Sequence, residues 1–381
     1  MLKTARLLGV GSRAHVKTLK TTELATLKVG ETGPVNLVCS TLVGMEELLR
    51  HCLMLYGFPA PPSAIKRIIR IAEILGGQCE DKPNVGILID NIDALQIACK
   101  TIEKHIQSTG GPKCPIGLWI KIDTGYHRAG IPNGSPALEI FYSHDGHSYA
   151  GNNPDDANDG LLAELLVLKD VVEMAYACGL EGRFTLSVGA TPTATAAHNL
   201  VASNSETART LMGFLHRVKA YCDVELHAGV YPVLDLQQLA TGVRPFPQIS
   251  TSNIGFSILA EIASIYNRER PEALIAAGSL ALSREPCKSY AGWGIVSPWR
   301  DKPDKWSAKK VEVFDPEIIN WDGPLEKLQP LIVGEKLLIW PNYACIVGAH
   351  FGWYLVIDSD DTTGNANGYV IKDVWVRWRG W

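Results

Sequence analysis

The sequence predicts an α/β fold, a (β/α)8 TIM-like barrel over residues 1–270 followed by a smaller C-terminal β-rich domain over residues 271–381. Three observations carry the prediction. Short β-branched runs alternate with amphipathic helices through the first two-thirds of the chain, that rhythm stops near Glu272, and one connection, Thr124–Gly160, is unusually long. Strand and helix in alternation imply a parallel sheet with helical crossovers, and roughly seven or eight such units fit a closed barrel better than an open sheet.

The strand candidates are Ala14–Thr18, Val35–Ser40, Val85–Ile89, Leu118–Asp123, Arg183–Val188, Asp223–His227 and Ile254–Ala263. Between them, apolar residues recur at helical spacing over Ile65–Leu75, Ile92–His105, Leu161–Cys178 and Glu206–Tyr221. The connection Thr124–Gly160 follows the strand ending at Asp123 and is rich in Gly, Asn, Asp and Pro. Long loops at the carboxyl ends of barrel strands are where such folds build their sites. Its acidic piece, Asn153–Asp159, reads as a solvated loop. Beyond Glu272, alternating runs at Gly292–Val296, Lys309–Phe314, Lys336–Trp340, Trp353–Ile357 and Val374–Trp378 are punctuated by glycines and prolines at turn spacing.

A chain of 381 residues can bury a large barrel core and still form a second domain. Its 46% hydrophobic and 20% charged residues are ordinary for a globular protein. A net charge of −4, dispersed along the chain, argues against nucleic-acid and membrane-surface partners. Nine cysteines, an odd number with no Cys-x-x-Cys pair, point to a reducing compartment. The opening Met1–Arg6 is basic but lacks an apolar signal core, and no apolar run is long enough to span a bilayer. A soluble cytoplasmic protein is the expectation.

Arg13-Ala14-His15-Val16-Lys17-Thr18 ends the first strand candidate. The plain reading of a lysine is a solvated surface residue. An inward-pointing lysine at the carboxyl end of a barrel strand is instead poised to form an imine with a carbonyl. A second strand runs into a glycine turn at Lys121-Ile122-Asp123-Thr124-Gly125-Tyr126-His127-Arg128, where Arg128 could equally close the strand end by a salt bridge. Ser187-Val188-Gly189-Ala190-Thr191 and Glu225-Leu226-His227-Ala228-Gly229-Val230 offer small hydroxyls and free amides, as a phosphate needs.

Together these segments resemble the fold type III pyridoxal-phosphate enzymes, which include alanine racemase, D-threonine aldolase and eukaryotic D-serine dehydratase, with the fungal D-serine dehydratases most alike. The likeness runs from about Gly11 to the carboxyl terminus. It implies that Lys17 holds pyridoxal 5'-phosphate as a Schiff base and that Arg128 approaches the phenolic oxygen of the cofactor. It further implies that Tyr142 contacts the ring, and that Tyr149, Thr191 and the amides of Gly229 and Val230 hold the phosphate. Both tyrosines could otherwise simply pack the loop. The implied reaction removes the α-proton of D-serine and eliminates the β-hydroxyl, giving pyruvate and ammonia. The implied assembly is a homodimer.

Two departures stand out. Relatives bind zinc through Pro-Asn-His-x-Cys, whereas here Tyr343 occupies the histidine position and Cys345 remains. A neutral phenol is a poor zinc ligand, so the balance falls against zinc, with His350 as a substitute the sequence cannot place. Only Leu2–Val10 precedes the lysine strand, where relatives carry a further strand and a full helix. Two alternatives stay open. One is a D-threonine aldolase-like lyase, against which Cys345 speaks. The other is a cofactor-binding homologue with weak or no turnover because of Tyr343.

Overall fold

A computed structural model describes residues 1–30, 36–49, 53–76, 83–110, 116–132, 141–144, 146–201, 205–244, 248–266, 272–289, 291–299, 332–361 and 370–380. They divide into two compact units. The first comprises Met1–Ser148, Asp155–Gly229 and Gly352–Trp381, and the second Tyr149–Pro154 and Val230–Phe351.

In the first unit run β1 (Gly11–His15), β2 (Asn36–Cys39), β3 (Met54–Pro59), β4 (Val85–Ile89), β5 (Ile116–Asp123), β6 (Ile131–Pro132), β7 (Phe141–Tyr142), β8 (Thr185–Val188) and β9 (Asp223–Ala228). Pairing proceeds β1-β2-β3-β4-β5-β7-β8-β9 and returns from β9 to β1, always parallel, while β6 pairs with β5 alone. This is the closed eight-stranded barrel the alternation predicted.

Details differ from the sequence reading. β1 stops at His15, so Lys17 lies in the turn that follows and not in the strand. Ile254–Ala263 is not a barrel strand, because β10 (Ile258–Tyr266) belongs to the second unit. The barrel is completed by β3 and β7, which the sequence reading did not contain. The acidic piece is no loop either: helix Pro154–Ala177 starts there, with Asp155 and Asp156 in its first turn. Proline suits that position, having no amide to leave unpaired, and acidic side chains favour the positive end of the helix dipole.

The core lies between strands and helices. Helix Pro62–Leu75 buries Ile65, Ile68, Ile69, Ala72 and Leu75, spaced three or four apart on one face. They pack with Leu37, Met54, Val85 and Ile87 of the neighbouring strands. Each such Ile or Leu side chain contributes about 1.5–3 kcal/mol by leaving water. Helix Ile92–Thr109 begins where the Asn91 side chain accepts from the Ala94 amide at 2.8 Å, and ends at Gly110 with φ 61°.

Charge crosses the barrel interior between its first and last strands. Arg13 Nε lies 2.6 Å from Glu225 Oε1, both residues buried, and Arg13 also donates to the carbonyls of Leu37 (3.2 Å) and Leu53 (3.0 Å). Glu225 further accepts from Ser187 Oγ (2.9 Å) and Asn36 Nδ2 (3.1 Å). The pair therefore links β1, β8 and β9 to β2 and to the start of β3.

The second unit holds an antiparallel sheet, β11-β10-β13-β12, in which β11 is Glu272–Ile275, β12 Gly294–Pro298 and β13 Lys336–Pro341. Ile258, Ala260 and Ile262 of β10 are buried, alternating with exposed Leu259 and Glu261. The expected run Lys309–Phe314 lies outside the described residues. The last strands, β14 (Trp353–Ile357) and β15 (Ile371–Val376), pair with each other in the first unit. From this carboxyl-terminal segment Tyr354 Oη donates to the Leu19 carbonyl (3.1 Å), and the Trp378 amide donates to that of Lys20 (2.8 Å). Leu19 and Lys20 have φ of 62° and 51°, a left-handed conformation that branched or bulky residues rarely adopt. Among the described residues no helix is long and apolar enough to cross a membrane.

Candidate active site at the barrel mouth

Lys17 leaves the end of β1 in the turn Val16–Leu19, its amide donating to His15 Nδ1 at 3.3 Å. A Cβ placed on Gly229 would sit 3.5 Å from Lys17 Cε, so the lysine stem lies across that glycine. Burial, and after it the charge of Lys17, pushes the His15 imidazole well below its ordinary pKa, and that of His144 down to about 3. Both rings are therefore neutral at physiological pH, with Lys17 close enough to act on each.

On the opposite strand Lys121 points inward from β5, buried, with Nζ 5.3 Å from the centroid of the Tyr142 ring. Burial, then the Arg128 guanidinium, lowers its pKa to about 8. Arg128 itself is exposed and lies over the Tyr126 ring at 5.2 Å. Its charge reaches Lys121, His144 and Tyr142. The loop carrying it is shaped by Asp123, which accepts from the amides of Gly125 and His127, each at 3.0 Å.

Tyr142 stacks flat on His227, with centroids 4.4 Å apart and planes 8° from parallel. His227 Nδ1 is 3.1 Å from Ser187 Oγ, which donates to the Glu225 carboxylate. That carboxylate, paired with Arg13, can only accept, so the Ser187 proton goes to it and His227 must supply the other proton from Nδ1. His227 Nε2 is buried and makes no close hydrogen bond, and burial keeps the ring neutral even though the Gly189 carbonyl favours its protonated form. By the same logic His144 carries its proton on Nδ1, donating to the Gly189 carbonyl at 2.9 Å.

Beside these rings two turns converge. Thr191 opens helix Thr191–Leu200, whose N-cap residue Ala190 has no side chain to satisfy the first amides. The Gly229 amide, just past β9, points to Thr191 Oγ1 at 3.4 Å. Gly189 has φ 125°, and a Cβ there would meet the His227 carbonyl oxygen at 2.8 Å, so only glycine fits.

The first unit thus brings together Lys17, Tyr142, Thr191 and Gly229, with Arg128 in electrostatic reach. Val230, Tyr149, Tyr343 and Cys345 belong to the second unit. There Tyr343 is hydrogen-bonded to the Cys345 side chain and lies near Tyr149, and burial is the first cause of a phenol pKa far above its ordinary value. Asp235, fully buried, accepts from the Gln238 amide and, through its other oxygen, from the Ala344 amide, each at 3.0 Å, and so fixes the Tyr343–Cys345 turn. His350 is exposed just past the end of the short helix Ala344–Ala349, of which Cys345 is the second residue. Residues five apart on a helix are about 140° apart around the axis and ~7.5 Å along it, so His350 does not join Cys345 on one ion. Among the described residues no group of three metal-ligating side chains occurs.

Sequence reading did not select Lys121, His144 or His227. Lys121 and His227 stand inside quoted motifs and His144 in the long connection Thr124–Gly160, and inward alternation on β5 was the one available signal for Lys121. A separate cavity of about 620 Å³ opens at the amino ends of the barrel strands, lined by Gly11, Arg13, Asn36, Gly117 and Glu225 among others. Barrel sites lie at the other, carboxyl end, where the amines and histidines gather.

A protein-family model described as "Putative serine dehydratase domain" matches residues 255–357. The D-serine dehydratase of Schizosaccharomyces pombe is 31% identical over 410 aligned positions, spanning 100% of this chain and 88% of the relative. That of Saccharomyces cerevisiae is 28% identical, spanning 97% of this chain and 88% of its own. A solved structure of D-threo-3-hydroxyaspartate dehydratase, a cysteine-to-alanine mutant in the metal-free form, superposes with a TM-score of 0.72 at 22% identity, covering 100% of this chain and 93% of that one. An alanine racemase-like protein from Idiomarina loihiensis gives a TM-score of 0.70 at 23% identity, covering 99% and 92%. At these identities the two structures establish the shared fold.

Proposed function

Because the chain belongs to the D-serine dehydratase family, we propose that it is a pyridoxal-phosphate-dependent lyase that converts D-serine to pyruvate and ammonia. The observation that carries this reading is the stem of Lys17 laid across Gly229 in a mouth where the neighbouring histidines are neutral. The residues fit the cofactor. Lys17 would hold its aldehyde carbon, Thr191 with the amides of Gly229 and Val230 its phosphate, Tyr142 its ring and Arg128 its phenolic oxygen. Tyr149 would serve the phosphate as well. His227 Nε2, which makes no close hydrogen bond, would accept from a donor on a bound ring.

When bound, the cofactor supplies an electron sink that makes the α-proton of an amino acid removable. Lys17 then acts as the base that takes this proton from Cα and carries it. Lys121 and Arg128 keep the mouth positive, which favours a phosphate and the substrate carboxylate. The buried histidines stay uncharged and orient by hydrogen bonds without competing for the proton.

Tyr343 and Cys345 do not fit zinc, since the phenol is held protonated and is already bonded to the thiol side chain. This segment therefore offers a protonated phenol where a Lewis acid would need two anionic or imidazole ligands. A cytoplasmic homodimer acting on a small D-amino acid completes the reading. The test is paired: the visible absorbance of the purified protein and pyruvate release from D-serine, each repeated with Lys17→Ala. Loss of both signals is expected. Pyruvate formation that survives in Lys17→Ala would sink the assignment.

A further inference from the structure

The seam of the barrel is the β1–β9 pairing, whose register runs from Gly11↔Glu225 to Ala14↔Ala228 and stops there. One residue further along each strand stand His15 and Gly229. Their carbonyls are bridged by a side chain from outside the sheet: Lys28, on helix Thr22–Val29, donates from Nζ to the His15 oxygen at 2.9 Å and to the Gly229 oxygen at 2.7 Å. Lys28 is 3% exposed. A lysine this deep is uncommon, because its ammonium gives up strong hydration on burial. A neutral donor could bridge the same two oxygens. What the lysine adds is an ammonium, whose charge acts on the adjacent His15 ring, beneath the turn whose amide faces Thr191 Oγ1.

The two bridged peptides flank the proposed chemistry. His15 precedes Lys17 by two residues, and the Lys17 stem lies against Gly229 itself. We propose that Lys28 is a positioning residue that sets the distance between the Lys17 amine and the Gly229 turn and supplies charge for the phosphate of the bound cofactor. It rests on the reading of the mouth as a pyridoxal-phosphate site. It assigns no contact between Lys28 and the reacting atoms.

The test uses the full chain in wild-type, Lys28→Met and Lys28→Gln forms, titrated with pyridoxal phosphate and, separately, with pyridoxal, which lacks the phosphate. Thermal unfolding of each form runs alongside. Lys28→Met should weaken pyridoxal phosphate binding at least roughly tenfold, the size of one charge-assisted contact, and pyridoxal binding by less than about threefold. Lys28→Gln keeps the bridge without the charge and should fall between. A purely architectural lysine would lower the melting temperature and weaken both ligands alike, and that result overturns the proposal. So does Lys28→Met binding as wild type does, or failure of both variants to fold, which would make Lys28 a residue of the fold alone. If wild-type protein binds no pyridoxal phosphate, the function proposed for the mouth fails first, which separates the two ideas.

Discussion

Replacing Arg13 by methionine tests whether the barrel interior depends on its ion pair. The methionine stem fills most of the space but removes the donor 2.6 Å from Glu225 and the two bonds to Leu37 and Leu53. Glu225 would keep Ser187 and Asn36 as donors while losing its only described salt-bridge cation. Breaking one side of a buried pair costs about 3–5 kcal/mol, mostly from the charge left behind. At roughly 2–4 °C per kcal/mol for domains of this class, the melting temperature should drop by ~6–20 °C. Arg13→Met with Glu225→Gln should recover at least about 2 kcal/mol, because the stranded charge is gone. Denaturant midpoints of the three proteins, read by circular dichroism, measure both effects. A single variant within about 1 kcal/mol of wild type, or a double variant no more stable than the single one, would refute the reasoning.

Gly189→Ala should cost at least about 1–3 kcal/mol and weaken pyridoxal phosphate binding, because φ 125° and a 2.8 Å approach to the His227 carbonyl both oppose a side chain. Gly179→Ala, with φ 84° and nothing within 4 Å, should lose stability without losing affinity, and equal affinity losses would argue against the specific approach. Lys121 is depressed from 10.5 to about 8 in the fold, so between those values the unfolded chain binds more protons and stability should rise with pH. Lys121→Met should flatten that rise in urea titrations of the cofactor-free protein, and an unchanged slope would show that Lys121 is not its source. Tyr343→His should raise zinc content, measured by plasma mass spectrometry, from near zero toward one per chain. Zinc already at one per chain in wild type would contradict the donor argument.

The barrel was legible because helical and strand periods alternate over long stretches, and its gaps have physical causes. Phe141–Tyr142 contributes a barrel strand of two residues, too short to show any period. Met54–Pro59 contains Gly57 and Pro59, which read as turn signals, yet a close approach of Val38 at 2.4 Å to a virtual Cβ shows why Gly57 is there. Pro154 followed by two aspartates was a helix start that acidity disguised as a loop. At the barrel mouth, Lys17, Thr191 and Gly229 lie together, and the motifs that suggested them arrange backbone and amine locally. Arg13–Glu225 spans 212 positions and Lys28–Gly229 spans 201, so only the closure of the barrel gives those partners meaning. His227 illustrates the same limit, since its proton assignment depends on a serine forty residues earlier.

The clasp on Leu19 and Lys20 ties together segments 335 positions apart. The turn that carries Lys17 is held by Tyr354 and Trp378 through the carbonyls of two left-handed residues. Those carbonyls find their donors only when the β14–β15 hairpin and the Trp378 segment dock, a step separate from closing the eight strands. Weakening that docking would loosen the Lys17 turn while the strand pairing of the barrel stayed whole.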